Sequence, residues 1–164
     1  MAIPFRGNTG LGTYLITSAT SQRKSLFQSE RMALLLLDVL IHYRDQKKYL
    51  LHEFVVMPDH FHLVLTPDDT LERSLQLIKG GFSFRAKKEL GFGGEIWETS
   101  FHDRRIRDWE ESCQIREYIH LNPVKAELSE TADRYPYSSA AAGFVLDPLP
   151  QRLKPTSQAS ESQR

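Results

Sequence analysis

Two histidines separated by one residue in an otherwise apolar run are the side chains here whose types and spacing point most directly to chemistry. In Met57-Pro58-Asp59-His60-Phe61-His62-Leu63-Val64-Leu65, the two-residue period of a strand sets His60, His62 and Val64 on one face and Phe61, Leu63 and Leu65 on the other. The second face reads as core. Side chains two apart on a strand leave the backbone about 7 Å from each other, near enough for both rings to turn onto one ion, and imidazole is the commonest metal ligand among side chains. A strand with two half-exposed histidines and no ion satisfies the same pattern.

A third candidate group lies some fifty positions on. Asp108 can cap a helix that, projected to Glu127, gathers Glu111, Gln114, Tyr118, Asn122 and Lys125 into one polar stripe beside Ile115, Ile119 and Ala126. If the apolar neighbours dock this helix on the histidine face, one turn delivers a phenolic oxygen and an amide oxygen toward the same metal. A free phenol titrates near ~10, so Tyr118 as a nucleophile needs a neighbouring base or cation, for which Lys125 on the same stripe is the candidate; a solvated lysine fits as well. The plainer reading leaves Tyr118 as a boundary aromatic with its hydroxyl in water. On that reading Asn122-Pro123 is punctuation, since proline biases its predecessor away from helical geometry and suits the start of a new helix.

Charge does not select a partner by bulk. Lysine plus arginine and aspartate plus glutamate number 21 each in 164 residues, a formal net charge of zero, so any affinity for a polyanion must come from clustering. Lys79, Arg85, Lys87 and Lys88 form one cluster, and His102, Arg104, Arg105 and Arg107 a second; solvated helix faces have the same composition. Trp97, Phe101 and Trp109 are candidates for base stacking, with Trp97 better read as core. Cys113 is the only cysteine, which excludes an internal disulfide framework and a cysteine-rich zinc site and fits a reducing cytoplasm. Residues Met1 to Gly7 show no secretory apolar region, and the run Met32 to Leu37 stops at Asp38, well short of the roughly 20 residues of a membrane span. The expectation is a soluble, cytoplasmic protein with no membrane partner.

The elements that must position these groups follow from period and punctuation. Residues 13–19 read as a strand, 21–28 as a loop, and Ser29 as the cap of a helix running to about Lys47, apolar almost all round through Leu40. A strand over 49–57, a turn at Pro58-Asp59 and the histidine strand make a hairpin. Leu71, Leu75, Ile78 and Phe82 mark a second helix, in which Gly80-Gly81 costs about 1 kcal/mol per glycine and permits a bend. A short strand over 101–106 precedes the third helix. Strand, helix, strand, strand, helix, strand is the order of a ferredoxin-like split βαβ unit: an α+β fold with an antiparallel sheet, helices on one face, and here an additional C-terminal helix carrying the tyrosine. In that fold the first and third strands are central, so the histidines sit where the backbone is held on both sides. Residues 1–149 read as one domain and 150–164, without apolar period, as a disordered tail.

Pro58-Asp59-His60-Phe61-His62-Leu63-Val64-Leu65, followed by Arg116-Glu117-Tyr118-Ile119-His120-Leu121-Asn122-Pro123-Val124-Lys125-Ala126, resembles the single-tyrosine HUH transposases, most closely their REP-associated tyrosine transposase branch. Phe101 to Asp108 and Tyr135-Pro136-Tyr137-Ser138-Ser139 also resemble family segments, and the likeness runs from Tyr14 to Ala140. It implies that His60 and His62 are ligands of Mg²⁺ or Mn²⁺, Asn122 a third ligand, and Tyr118 the nucleophile that cuts single-stranded DNA beside a hairpin and keeps a 5′-phosphotyrosine link. Strand transfer needs no nucleotide triphosphate on this scheme. It further implies DNA contacts by the two basic clusters and leaves monomer and homodimer open. Glu98 and Tyr137 depart from the glutamine and tryptophan expected there, and Asp59 stands where asparagine is also usual.

Two other functions share parts of this pattern. A non-catalytic single-strand nucleic-acid binding module uses the same fold with aromatics on the open sheet face, where this chain has histidines. A small metallohydrolase would use His60, His62 and His102 around zinc with a metal-bound water and no need for Tyr118.

Overall fold

The computed structural model describes residues 12–155. Its centre is a four-stranded antiparallel sheet of β1 (Tyr14–Ala19), β2 (Tyr49–Met57), β3 (His60–Pro67) and β4 (His102–Arg105), in the order β2-β3-β1-β4. Helices α1 (Glu30–Asp45) and α2 (Leu71–Leu90) cover one face, and α3 (Trp109–Lys125) lies on the other. This is the α+β, ferredoxin-like arrangement with an added tyrosine-bearing helix, and β1 and β3 occupy its middle.

Each helix starts where a side-chain oxygen takes an otherwise unpaired amide. Ser29 accepts from Met32 N, Thr70 from Arg73 N and Asp108 from Glu111 N. α2 ends at Gly91, whose φ of 66° is the left-handed turn that glycine adopts without strain. α2 runs unbroken through Gly80-Gly81. Gly81 serves packing, because a Cβ there would fall 2.9 Å from the Tyr43 ring of α1. The expected loop at 21–28 is two 3-10 turns, Ser21–Arg23 and Leu26–Gln28. They are fixed because Phe27, 2% exposed, stacks against Phe82 and Trp97 while its amide donates to Pro58 O.

The sheet divides two apolar layers. Phe61, Leu63 and Leu65 of β3, with Tyr14 and Ile16 of β1, pack under α1 and α2. Val64 of β3 joins Val55 and Met57 of β2, Ile106, and Ile115 and Ile119 of α3 in the second layer. A bulge between Leu51 and Glu53 inserts His52 into β2, so that Leu51 faces Leu65 while Glu53 faces Val64. Beyond β2 the chain returns along the sheet edge: Val56 N donates to Tyr137 O, Ser139 N to Phe54 O and Tyr135 Oη to Val56 O. That covers an edge that would otherwise invite pairing with another chain.

The stretch expected to lose order from residue 150 stays on the body through residue 155. Leu153 is 3% exposed in the second layer, and Arg152 donates to Thr13 Oγ1 at 3.2 Å. The remainder of that stretch lies outside the described residues. Among the described residues no helix is long and apolar enough to cross a membrane.

Candidate active site

His60 begins β3 directly after the Pro58-Asp59 turn, and its neighbour His62 is one of the central pairing positions of the sheet. Each imidazole has its Nδ1 held by an oxygen. His60 Nδ1 lies 2.7 Å from Asp59 Oδ1, and His62 Nδ1 lies 2.8 Å from Thr17 Oγ1 on β1. A carboxylate only accepts, so Nδ1 of His60 carries a proton, and in the neutral ring its Nε2 holds the lone pair. The two rings meet edge to face with centroids 4.9 Å apart.

His62 is 5% exposed, and its Nε2 is a buried polar atom without a hydrogen-bond partner, one of two such side-chain atoms among the described residues. The other, Ser18 Oγ, belongs to a residue that faces the layer under α1 and α2 through its pairing with Phe61. An unpaired buried nitrogen costs about 1–3 kcal/mol, and a metal ion is the partner that would offset it. Burial, with His60 and Arg23 nearby adding to it, lowers the His62 pKa to about 4, so the ring is neutral near neutral pH, and in the tautomer whose Nδ1–H donates to Thr17 Oγ1 its Nε2 lone pair is free.

That shift makes stability depend on acid. An unfolded histidine binds a proton near ~6.5, whereas folded His62 does so only near about 4. Between those values the unfolded chain holds more protons, so stability is complete above the upper one and declines as pH falls toward the lower. Without added metal, denaturant titrations from pH 7 to pH 4 should lose on the order of 3 kcal/mol through His62. Buried His52, also shifted down chiefly by desolvation, adds to the slope, and His62→Gln should flatten most of it.

α3 brings the phenol. Ile115 and Ile119 seat it on the second layer, which turns Tyr118 to the histidine edge; its ring centroid is 5.3 Å from that of His62. Tyr118 remains 45% exposed. α3 continues through Pro123 rather than stopping at Asn122, so the half-buried Asn122 follows Tyr118 by about one turn on the same side. Lys125 is exposed at the helix end, about two turns from Tyr118. Among the described residues no three His, Cys, Asp or Glu side chains cluster as a metal site. His102 pairs with Thr17, which lies between it and His62, about 10 Å away across two strand spacings. The three-histidine zinc set is therefore not assembled. Two imidazole nitrogens with open lone pairs nevertheless fit a divalent ion whose remaining ligands are an amide oxygen, phosphate or water.

The two basic clusters separate. Lys79, Arg85, Lys87 and Lys88 sit on α2, with the whole sheet between them and the histidines. Lys79 Nζ donates to Glu98 O at 2.8 Å beside the Trp97 ring, and burial lowers its pKa. Arg85 is held by Asp38 at 2.6 Å and Glu89 at 2.9 Å; Lys87 and Lys88 are exposed. Trp97 is partly buried against the core, its Nε1 donating to Lys79 O. The second cluster starts at His102, opposite Thr17, and runs along the sheet away from the histidines, Arg104 and Arg105 pairing with Leu15 and Tyr14. Arg104, Arg105 and Arg107 line a cleft of about 660 Å³ whose fourth arginine is Arg152, with Glu111 paired to Arg104 at 3.0 Å. Arg152 was not legible in the sequence because nothing in its polar surroundings marks a fold-back.

A family model described as "Transposase IS200 like" matches residues 10–122, from before β1 into α3. The chain belongs to this IS200-like transposase family. A REP-associated tyrosine transposase of Escherichia coli is 24% identical over 131 residues, 78% of this chain and 76% of that protein. A Haemophilus influenzae relative assigned to the same group is 29% identical over 96 residues, 51% of this chain, and the alignment spans about half (54%) of that protein's length. A solved REP-associated tyrosine transposase bound to a REP hairpin superposes with a TM-score of 0.70 over 85% of this chain and 82% of its own, at 24% identity. Membership of the IS200-like family thus covers both histidines, the tyrosine and Asn122 in a single match.

Proposed function

We propose that this chain is a metal-dependent single-stranded DNA transesterase of the transposase type, acting at or near DNA hairpins, with Tyr118 as nucleophile. The observation that carries the reading is the meeting of Tyr118 with His62, whose buried Nε2 has no protein partner. The hairpin substrate rests on the relative solved with one.

In the proposed reaction the Tyr118 oxygen attacks a backbone phosphorus, and the proton that it loses is balanced by the one that the departing 3′ oxygen takes up. The bond from phosphorus to the 3′ oxygen breaks, leaving a free 3′ hydroxyl and a 5′-phosphotyrosine. His60, His62 and Asn122 would hold Mg²⁺ or Mn²⁺, which supplies positive charge to the non-bridging phosphate oxygens. Asp59 and Thr17 fix the two rings, so little reorganisation is left for the moment of reaction. Attack of a 3′ hydroxyl on the phosphotyrosine reverses the sequence and joins strands. One chain supplies both histidines and the tyrosine, so a monomer suffices for this chemistry. His102, Arg104, Arg105, Arg107 and Arg152 would hold phosphates of DNA that runs on from the site along β4; exposed Lys87 and Lys88 lie across the sheet and would reach only DNA that wraps the body.

The test mixes the protein with end-labelled hairpins bearing single-stranded flanks and Mn²⁺, then looks on a denaturing gel for protein-linked DNA. A band abolished by chelator supports the reading; shifted but uncut DNA across a broad hairpin library would favour a binding module. Phosphate contacts have their own signature. Arg107→Ala and Arg152→Ala should each reduce the slope of log affinity against log salt by about 1, whereas Arg85→Ala, removing a residue already paired with Asp38 and Glu89, should leave it unchanged.

A further inference from the structure

We propose that Glu53 is a positioning residue for Tyr118: its carboxylate fixes the rotation and axial setting of α3 on the sheet. The proposal rests on Tyr118 being the nucleophile. Glu53 occupies the step of β2 just past the bulge, on the face opposite α1 and α2, and its side chain is 14% exposed. Three donors converge on it from two segments distant in sequence. His120 Nε2 lies 2.8 Å from Oε2, Arg116 Nε lies 3.2 Å from Oε1, and Ser139 Oγ donates to Oε2. Ser139 is itself tied to β2 through Phe54: its Oγ accepts from the Phe54 amide at 3.0 Å and its own backbone amide donates to the Phe54 carbonyl at 2.9 Å.

The spacing of the helix partners is what directs the effect at the phenol. Arg116 and His120 stand two residues before and two after Tyr118, four apart and so stacked on one side of α3. Ile115 and Ile119 give the helix an apolar seat, but apolar contact is non-directional and resists rotation poorly. Two charge-assisted bonds to one carboxylate on rigid β2 supply the missing direction. Tyr118 lies midway between these two fixed points along the axis but projects from the opposite flank of the helix, toward His62, so a small roll of α3 moves its oxygen relative to that ring. Misplacement of a reacting atom by about 1 Å can cost about 10²-fold in rate.

Glu53→Gln keeps the size and the Ser139 contact but replaces one acceptor by a donor that cannot serve both Arg116 and His120. Its single-turnover rate of adduct formation at saturating hairpin should fall about 10- to 100-fold, with hairpin affinity within twofold of wild type and the protein fully folded by circular dichroism. Glu53→Asp, which restores the charge, should recover part of the rate. With 3-fluorotyrosine at position 118, the fluorine resonance should shift or broaden in Glu53→Gln. An unchanged fluorine line overturns the proposal, as does an adduct rate within twofold of wild type, or a loss of rate fully accounted for by unfolded protein. If wild type forms no adduct at all, the transesterase reading fails and the fluorine line alone decides the role of Glu53.

Discussion

Tyr118→Phe is expected to abolish the covalent protein–DNA product while leaving the protein folded and able to bind hairpins. The substitution removes one oxygen from a side chain that is 45% exposed, and its aromatic contact with His62 stays possible. Exposed substitutions of this kind change stability by no more than about 0.5 kcal/mol, so the thermal midpoint should move by roughly 2 °C or less. Hairpin affinity should stay within a factor of two, because the proposed phosphate contacts come from β4 and the segment around Arg152. Without the phenolic oxygen no phosphotyrosine can form, so the linked band should fall below detection. Cutting that survives in Tyr118→Phe would move the nucleophile to a metal-bound water and overturn the assignment.

His62→Ala should erase metal-dependent stabilisation and reduce adduct formation by about 10³-fold. A metal that binds only the folded chain raises stability by RT ln(1 + [M]/Kd), about 2.7 kcal/mol at one hundred times Kd. For a chain of this length that corresponds to a rise in thermal midpoint of about 5–10 °C. Wild type should show that rise on titration with Mn²⁺, and His62→Ala should not. Comparing each protein with and without metal removes the separate effect of losing a buried ring. The expected rate loss follows from the several kcal/mol that a metal supplies to charge on a phosphoryl oxygen, at about 1.36 kcal/mol per factor of ten. An undiminished Mn²⁺ shift in His62→Ala would mean that the orphaned nitrogen is not a ligand.

The sequence revealed most where a face is defined by period alone. β3 alternates strictly, so the split between His60 and His62 on one side and Phe61, Leu63 and Leu65 on the other survives intact. The stripe of α3 is equally regular: Ile115 and Ile119 dock, and Tyr118 turns to the histidines. The three helix caps needed only a hydroxyl or carboxylate three residues before its amide. β2 defeated the same reasoning. Strict alternation from Tyr49 would group Glu53 with Leu51, whereas the bulge sets them on opposite faces, and no turn residue marks the irregularity. Glu53 was missed for that reason.

Charge was legible as composition but not as availability. Lys79, Arg85, Lys87 and Lys88 are neighbours on one helix, yet Asp38, 47 positions from Arg85, neutralises it across the α1–α2 contact. Only the packed fold shows which cations have carboxylates beside them. The same holds for Arg152, brought to the β4 edge by the burial of Leu153.

The bulge in β2 also determines how this strand can change length. His52 is the supernumerary residue of the ladder: removing it would join Leu51 to Glu53 as consecutive rungs with each still aimed at its present partner, Leu65 or Val64. Loss of any one residue from Phe54 to Val56 would do the reverse, turning part of the strand over and exchanging an acid for a hydrocarbon between the two apolar layers. Shortening is therefore tolerable for the ladder at one position and ruinous a few ångströms further along. His52 itself is held by Asp147 O at 2.9 Å and Thr66 Oγ1 at 2.8 Å, so what its removal would sacrifice is the mooring of the returning C-terminal segment rather than the strand's orientation.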